Sequence, residues 1–166
     1  MKLQKIPHII DVEASGFATE SYPIEIGIVF DDGQSYCTLI RPAKEWKHWD
    51  ENAEKVHNIR RETLMKYGKP IKQIVLELNE LLKGKTLYSD GWVLDKPWMN
   101  LLFHYERTDM TFTISPLEAI LSEAQMNIWH DTKDQVIKDF DVKRHRATND
   151  ARIIQETYKR TWDLST

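Results

Sequence analysis

The segment Pro7-His8-Ile9-Ile10-Asp11-Val12-Glu13 constrains this chain more than any other. Its apolar residues Ile9, Ile10 and Val12 read as the core of a buried strand, and Ser15-Gly16 marks the strand's end. Side chains two positions apart in a strand share a face. Asp11 and Glu13 therefore point one way while Val12 points the other. Two carboxylates at the end of a buried strand repel each other, and they require a cation, a shared proton or a solvated strand end. A polar strand terminus entering a turn meets the third condition, so Asp-x-Glu alone does not define a function.

The remaining pattern builds a sheet around that strand. Residues 24–30 form a second strand, Asp32-Gly33 is a hairpin signal, and residues 34–40 form a third strand stopped by Arg41-Pro42. Short connections make these three an antiparallel meander. Behind Pro70, the spacing of Ile71, Ile74, Val75, Leu78, Leu81 and Leu82 predicts a helix ended by Gly84. A short strand at 86–89 follows, then a helix over 97–105 with Trp98, Leu101, Leu102 and Tyr105 on one side, then a strand at 111–114. Ser115-Pro116-Leu117-Glu118 has the capping-box pattern and predicts a helix whose stripe is Leu117, Ile120, Leu121, Ala124 and Ile128. A last helix over 148–162 places Ala151, Ile154, Tyr158 and Trp162 on one face. The order βββ-α-β-α-β-α-α is an α/β architecture, with a mixed five-stranded sheet (three antiparallel strands, then parallel ones) flanked by helices.

A chain of 166 residues is expected to form one domain, spanning 1–166. At 41% hydrophobic and 30% charged it is neither a disordered tail nor a membrane protein, and a net charge of −3 excludes a strongly basic nucleic-acid coat. The lone Cys37 can form neither an intramolecular disulfide nor a cysteine zinc site, which points to a reducing compartment, by default the cytoplasm. The apolar run Ile9-Ile10 is broken too soon by Asp11 and Glu13 for a secretory leader, and no stretch approaches a membrane span.

Two further acidic positions stand out. Asp150, in Thr148-Asn149-Asp150, opens the last helix, where it could simply complement the helix dipole. His145 lies five residues earlier among Lys143, Arg144 and Arg146, on the loop before that helix. A neutral imidazole is the form a general base requires. Asp95 stands two residues before Pro97, where a helix N-cap is the plain reading. Asp90 competes with it for a role at the strand end; pattern and placement favour Asp95. The cations Lys143, Arg144, Arg146 and Arg152 could contact phosphates or merely form a solvated surface. Of the six tryptophans, Trp92 is the best candidate for stacking on a base, since it sits in the loop before Asp95.

Together these residues resemble the DEDDh family of 3′→5′ exonucleases, in the DnaQ-like superfamily. Asp11-Val12-Glu13-Ala14-Ser15-Gly16-Phe17 is similar to the family's first motif, residues 89–102 with Asp95 to its second, and His145-Arg146-Ala147-Thr148-Asn149-Asp150-Ala151 to its third. Tyr22-Pro23-Ile24-Glu25-Ile26-Gly27 and Val56-His57-Asn58-Ile59 match smaller stretches, so the resemblance covers roughly residues 7–160. Ala14, Ser89-Asp90 and Asn58 depart from the family's usual residues.

The resemblance implies an RNase H-like sheet and a nuclease acting at the 3′ end of single-stranded DNA or RNA. Asp11, Glu13, Asp95 and Asp150 would be ligands of two divalent cations, Mg²⁺ or Mn²⁺, for which a hard carboxylate set is suited. The first site would use Asp11, Glu13 and Asp150, and the second Asp11 with Asp95. His145 would be the general base. Ala14 and Phe17 would lie against the terminal nucleotide, His57 near its sugar, and Arg146 on phosphate. Some stand-alone members are homodimers. Two competing readings keep the fold: a catalytically silent nucleic-acid-binding module, and an RNase H-like endonuclease. A binding module has no use for four converging carboxylates.

Overall fold

The computed structural model describes residues 4–166. Five strands form one sheet: β1 (His8–Ala14), β2 (Pro23–Val29), β3 (Ser35–Leu39), β4 (Thr86–Ser89) and β5 (Thr113–Pro116), in the order β3-β2-β1-β4-β5. β1 pairs antiparallel with β2, and β2 with β3; β4 runs parallel to both β1 and β5. This is the mixed sheet expected. The β2–β3 turn is the Asp32-Gly33 hairpin, with Gly33 at φ +84°, a conformation open to glycine at little cost.

Helices cover both faces. Ile10 and Val12 of β1 and Ile26 and Ile28 of β2 pack beneath α3 (Ile71–Leu81), which buries Ile71, Ile74, Val75 and Leu78, and α4 (Trp92–Tyr105). On the opposite face Ile9 and Val29 meet α5 (Glu123–Phe140) through Trp129, and α6 (Ala147–Ser165) through Ala151, Ile154 and Tyr158. Each fully buried aliphatic side chain contributes about 1.5–3 kcal/mol. Both faces of β1 are therefore committed, and only its C-terminal end is left for polar chemistry. Among the described residues, no helix is long and apolar enough to cross a membrane.

Two local expectations need correction. The Ser115-Pro116 pair does not start a helix: both residues extend edge strand β5, where proline's missing N–H is tolerated, and a short 3-10 turn (Leu117–Ile120) follows. The capping box lies seven residues further on, with Ser122 and Gln125 bonded reciprocally at the head of α5. The buried stripe of α5 is accordingly Gln125, Trp129, Thr132 and Val136, not Ala124 and Ile128. Second, α4 begins at Trp92, five residues before the proline expected at its first position. Pro97 lies inside the helix and cannot donate to the Val93 carbonyl, and Val93 itself is exposed. The 51–67 region, for which the sequence pattern predicts no element, holds two seven-residue helices, α1 (Glu51–His57) and α2 (Arg61–Tyr67). Two turns each, with only Ala53 and His57 buried in α1 and Leu64 in α2, leave almost no periodic signal.

Candidate active site

The acidic site grows out of strand alternation. Asp11 and Glu13 alternate with Ile10 and Val12, so they share the face of Ile9, which packs under α6. Directly across on β2 stand Gly27, opposite Asp11, and Glu25, opposite Glu13. The register shifts between Glu13 and Ala14, at the point where the strand leaves the sheet. Gly27 is what lets α6 approach: a Cβ there would lie 2.3 Å from the Thr148 backbone nitrogen and 2.4 Å from the Ala147 carbonyl carbon.

Asp150 projects from the first turn of α6, and the loop before the helix folds back onto it. The His145 backbone N–H donates to both Asp150 oxygens, at 3.2 and 3.1 Å, and Arg144 Nε donates to Oδ1 at 3.0 Å. His145 adopts φ +60°, a left-handed conformation uncommon outside glycine. Its ring stays about half exposed, with Nδ1 3.9 Å from Asp150 Oδ2. A cleft at the carboxyl ends of the parallel strands β1 and β4 is lined by Asp11, Glu13, Asp95, His145 and Asp150, the position where open α/β sheets bind ligands.

Asp11, Glu13 and Asp150 each offer one oxygen within 4.8 Å of the others. Asp11 Oδ2 is buried without a hydrogen-bond partner. Burial first, then the charges of Asp95, Glu13 and Asp150, hold Asp11 well above the usual carboxylate range. Burial, with Asp150 and Glu25 adding to it, pushes Glu13 up to about 8. Asp95 lies on the cleft wall in the first turn of α4, outside that close trio and not at an N-cap. Burial pushes it up to about 7, against the Ser89 hydroxyl, which donates to its Oδ2 at 2.7 Å. A buried carboxylate oxygen with no donor, amid other carboxylates that resist ionisation, fits a bound cation: positive charge would remove the repulsion and the orphaned acceptor together.

The other residues singled out from sequence are distributed unevenly. Ala14, Phe17 and His57 line the cleft. Phe17 is 75% exposed and its ring lies 6.5 Å from that of Trp98. His57 is buried, its Nδ1 accepting the Ile59 N–H at 3.0 Å and its Nε2 unpartnered; burial lowers its pKa, against the charges of Glu25 and Glu54. Trp92 instead opens α4 and donates its indole N–H to the Ile114 carbonyl at 2.9 Å, outside the cleft lining. Arg146 is engaged with Glu25, and Arg152 with the Gly33 carbonyl and Ser35 hydroxyl. Of the four cations near the third motif, only Lys143 has no side-chain hydrogen bond or ion pair among the described residues. Sequence reading missed Val56, Leu94 and Trp98, which form an apolar side of the cleft. Starting α4 at Trp92 would have revealed two of them, since Asp95 and Trp98 then stand one turn apart with Leu94 beside them.

The sheet order and the helices on both faces give the chain the DEDDh-type 3′–5′ exonuclease fold, an RNase H-like fold. E. coli exonuclease I in complex with a dA16 oligonucleotide superposes with a TM-score of 0.73 at 12% identity, over 97% of this chain and 43% of that one. Exonuclease I from Methylocaldum szegediense gives 0.68 at 12% identity, over 90% and 38%. The nuclease domain of 3′hExo, a DEDDh family member, bound to rAMP, gives 0.69 at 15% identity, over 95% and 91%. The chain thus spans about two fifths of the exonuclease I chains and nearly all of the 3′hExo domain. No family model and no curated protein sequence matches the chain.

Proposed function

We propose that the chain is a divalent-metal-dependent 3′→5′ exonuclease that hydrolyses single-stranded DNA or RNA and releases 5′-mononucleotides. The observation that carries this is the convergence of Asp11, Glu13 and Asp150 within 4.8 Å, with Asp11 Oδ2 buried and unpartnered. The fold shared with proteins crystallised with an oligonucleotide or rAMP supports the substrate class.

Asp11, Glu13 and Asp150 would hold one Mg²⁺ or Mn²⁺, and Asp11 with Asp95 a second. Such ions supply an activated water and neutralise charge on a phosphate. The chain's own groups do the rest. His145, half exposed beside Asp150, takes the proton from the attacking water. The left-handed backbone at His145, held by its N–H on the Asp150 carboxylate, fixes the ring's base next to the acidic trio. Phe17, Val56, Leu94 and Trp98 offer an apolar side against which the terminal nucleotide packs, with Ala14 and His57 also lining the cleft.

End-labelled linear and circular single strands, DNA and RNA, incubated with Mg²⁺ or Mn²⁺, test the reading. Stepwise shortening from the 3′ end with circles intact is expected. Binding without cleavage would indicate a silent module, and cuts in the circles an endonuclease.

A further inference from the structure

Arg146 belongs to a basic run that the sequence leaves open between phosphate contacts and a solvated surface, and the family resemblance would place it on phosphate, yet its guanidinium is spent inside the protein. Nε lies 3.1 Å from both Glu25 oxygens and Nη2 lies 2.6 Å from Oε2. Glu25 Oε1 also accepts the Ala147 N–H at 2.8 Å, satisfying one of the unpaired donors at the head of α6. All the acceptor capacity that Glu25 shows goes to two successive residues at one helix start. Glu25 is nearly buried, with its side chain 6% exposed.

The position of this pair relative to the acidic trio gives it a further role. Glu25 stands directly opposite Glu13 in the β1–β2 ladder. Asp150 accompanies Arg146 on the first turn of α6, where its backbone N–H bonds the Arg146 carbonyl at 3.0 Å. A short rigid path therefore joins two members of the trio: Glu13 to Glu25 by strand register, Glu25 to Arg146 and Ala147 by N–H donors, and Arg146 to Asp150 by one helical turn. Neighbouring Gly27 removes the side chain that would hold α6 away. Charge follows the same logic. Like charges directly opposite in an antiparallel pair repel; the guanidinium answers Glu25 and leaves Glu13 as the carboxylate still lacking a counter-charge.

We infer that Glu25 and Arg146 are positioning residues: their ion pair sets the Glu13–Asp150 separation and hence the affinity of the acidic site for a divalent cation, and Arg146 is not a phosphate contact. The inference deepens the proposed function and rests on it for the identity of the bound ion.

The test compares the full chain with Glu25→Gln, Arg146→Gln, the double variant and Arg146→Lys. Mn²⁺ binding is titrated without nucleic acid, and kcat and KM are measured on a single-stranded oligonucleotide over a salt series. Each Gln variant is expected to weaken Mn²⁺ binding and lower kcat about 10-fold or more, the usual effect of losing a group that orients a metal ligand. KM and its salt dependence should stay at wild-type values. The double variant should match the singles, since either change breaks the same contact. Arg146→Lys, which keeps the charge but loses the paired bonds, should fall between, and it carries the test if the Gln variants do not fold. The inference is overturned if Arg146→Gln raises KM and flattens its salt dependence while Mn²⁺ binding is unchanged and Glu25→Gln is silent. If the wild-type chain binds Mn²⁺ but cleaves nothing, the exonuclease reading fails, and the Mn²⁺ titrations still decide the role of the pair.

Discussion

Glu13 and Glu25 face each other across two strands of one sheet, yet they live in different chemistry. Glu25 accepts from Arg146 and from the head of α6, and its side chain is nearly buried. Glu13 has Asp11 two residues before it and Asp150 within ligand distance, and burial with like charge pushes it up to about 8. One carboxylate is finished by the protein and the other is left unfinished. The pair shows how two carboxylates at one ladder position can be treated differently: N–H donors go to the first, and the second is left among like charges that a proton or an added cation would relieve.

The sharpest way to break this contrast is to remove an unfinished carboxylate. Asp11→Asn should reduce hydrolysis to background while the metal-free protein keeps or gains melting temperature, because repulsion within the buried acidic cluster is relieved. The stabilisation by Mn²⁺ should shrink at the same time. Thermal melts with EDTA and with Mn²⁺, beside an end-labelled strand assay, check both halves, and near-normal turnover in this variant would end the metal reading.

Next in size is His145. His145→Ala should slow the chemical step by about 10²–10⁴-fold while leaving Mn²⁺ binding intact. Single-turnover rates of both proteins, beside Mn²⁺ titrations, decide the role; a mutant with an undiminished rate would assign the base elsewhere.

Ser89→Ala probes the half-finished member, Asp95, whose one donor is that buried hydroxyl. The Ser89 hydrogen bond opposes the rise in the Asp95 pKa, so its loss should keep Asp95 protonated to higher pH. Activity below neutral pH should fall roughly three- to tenfold and recover in more alkaline buffer, on the scale of one hydrogen bond. A uniform loss at every pH would show that Ser89 acts by packing alone.

The smallest effect is on stability. With Glu13 near 8 and Asp95 near 7, the folded chain holds protons that unfolded carboxylates release. A raised folded pKa contributes stability that is present below the unfolded value of about 4 and is lost as pH rises through the folded value. Melting temperature in EDTA should therefore decline toward about pH 8, and Mn²⁺ should restore more of it at the alkaline end. A metal-free melting temperature that rises over this range would contradict the shifts.

Much of this was legible in the chain. Alternation in residues 7–13 placed Asp11 and Glu13 on one face, because a strand has a fixed period of two. Periodicity alone places Ala151, Ile154, Tyr158 and Trp162 on one face of α6, and the Asp32-Gly33 dipeptide marks the hairpin. The start of α4 lies upstream of the sequence expectation because Pro97 reads as a first helical residue, and that of α5 lies downstream because Ser115-Pro116 satisfies a cap as well as it satisfies an edge strand. Local patterns of that kind are consistent with two structures, and only packing chooses between them.

Side-chain chemistry and backbone period suffice to say which acids and which histidine are available and on which elements they ride. Tertiary structure alone decided their partners. Arg144 and Arg146 look equivalent as neighbours of His145, yet one is held by Asp150 and the other by Glu25, more than a hundred positions away in the chain. Distance along a chain carries no record of such contacts: they exist because Gly27 admits the head of α6 to the sheet, and that approach is a property of the packed molecule.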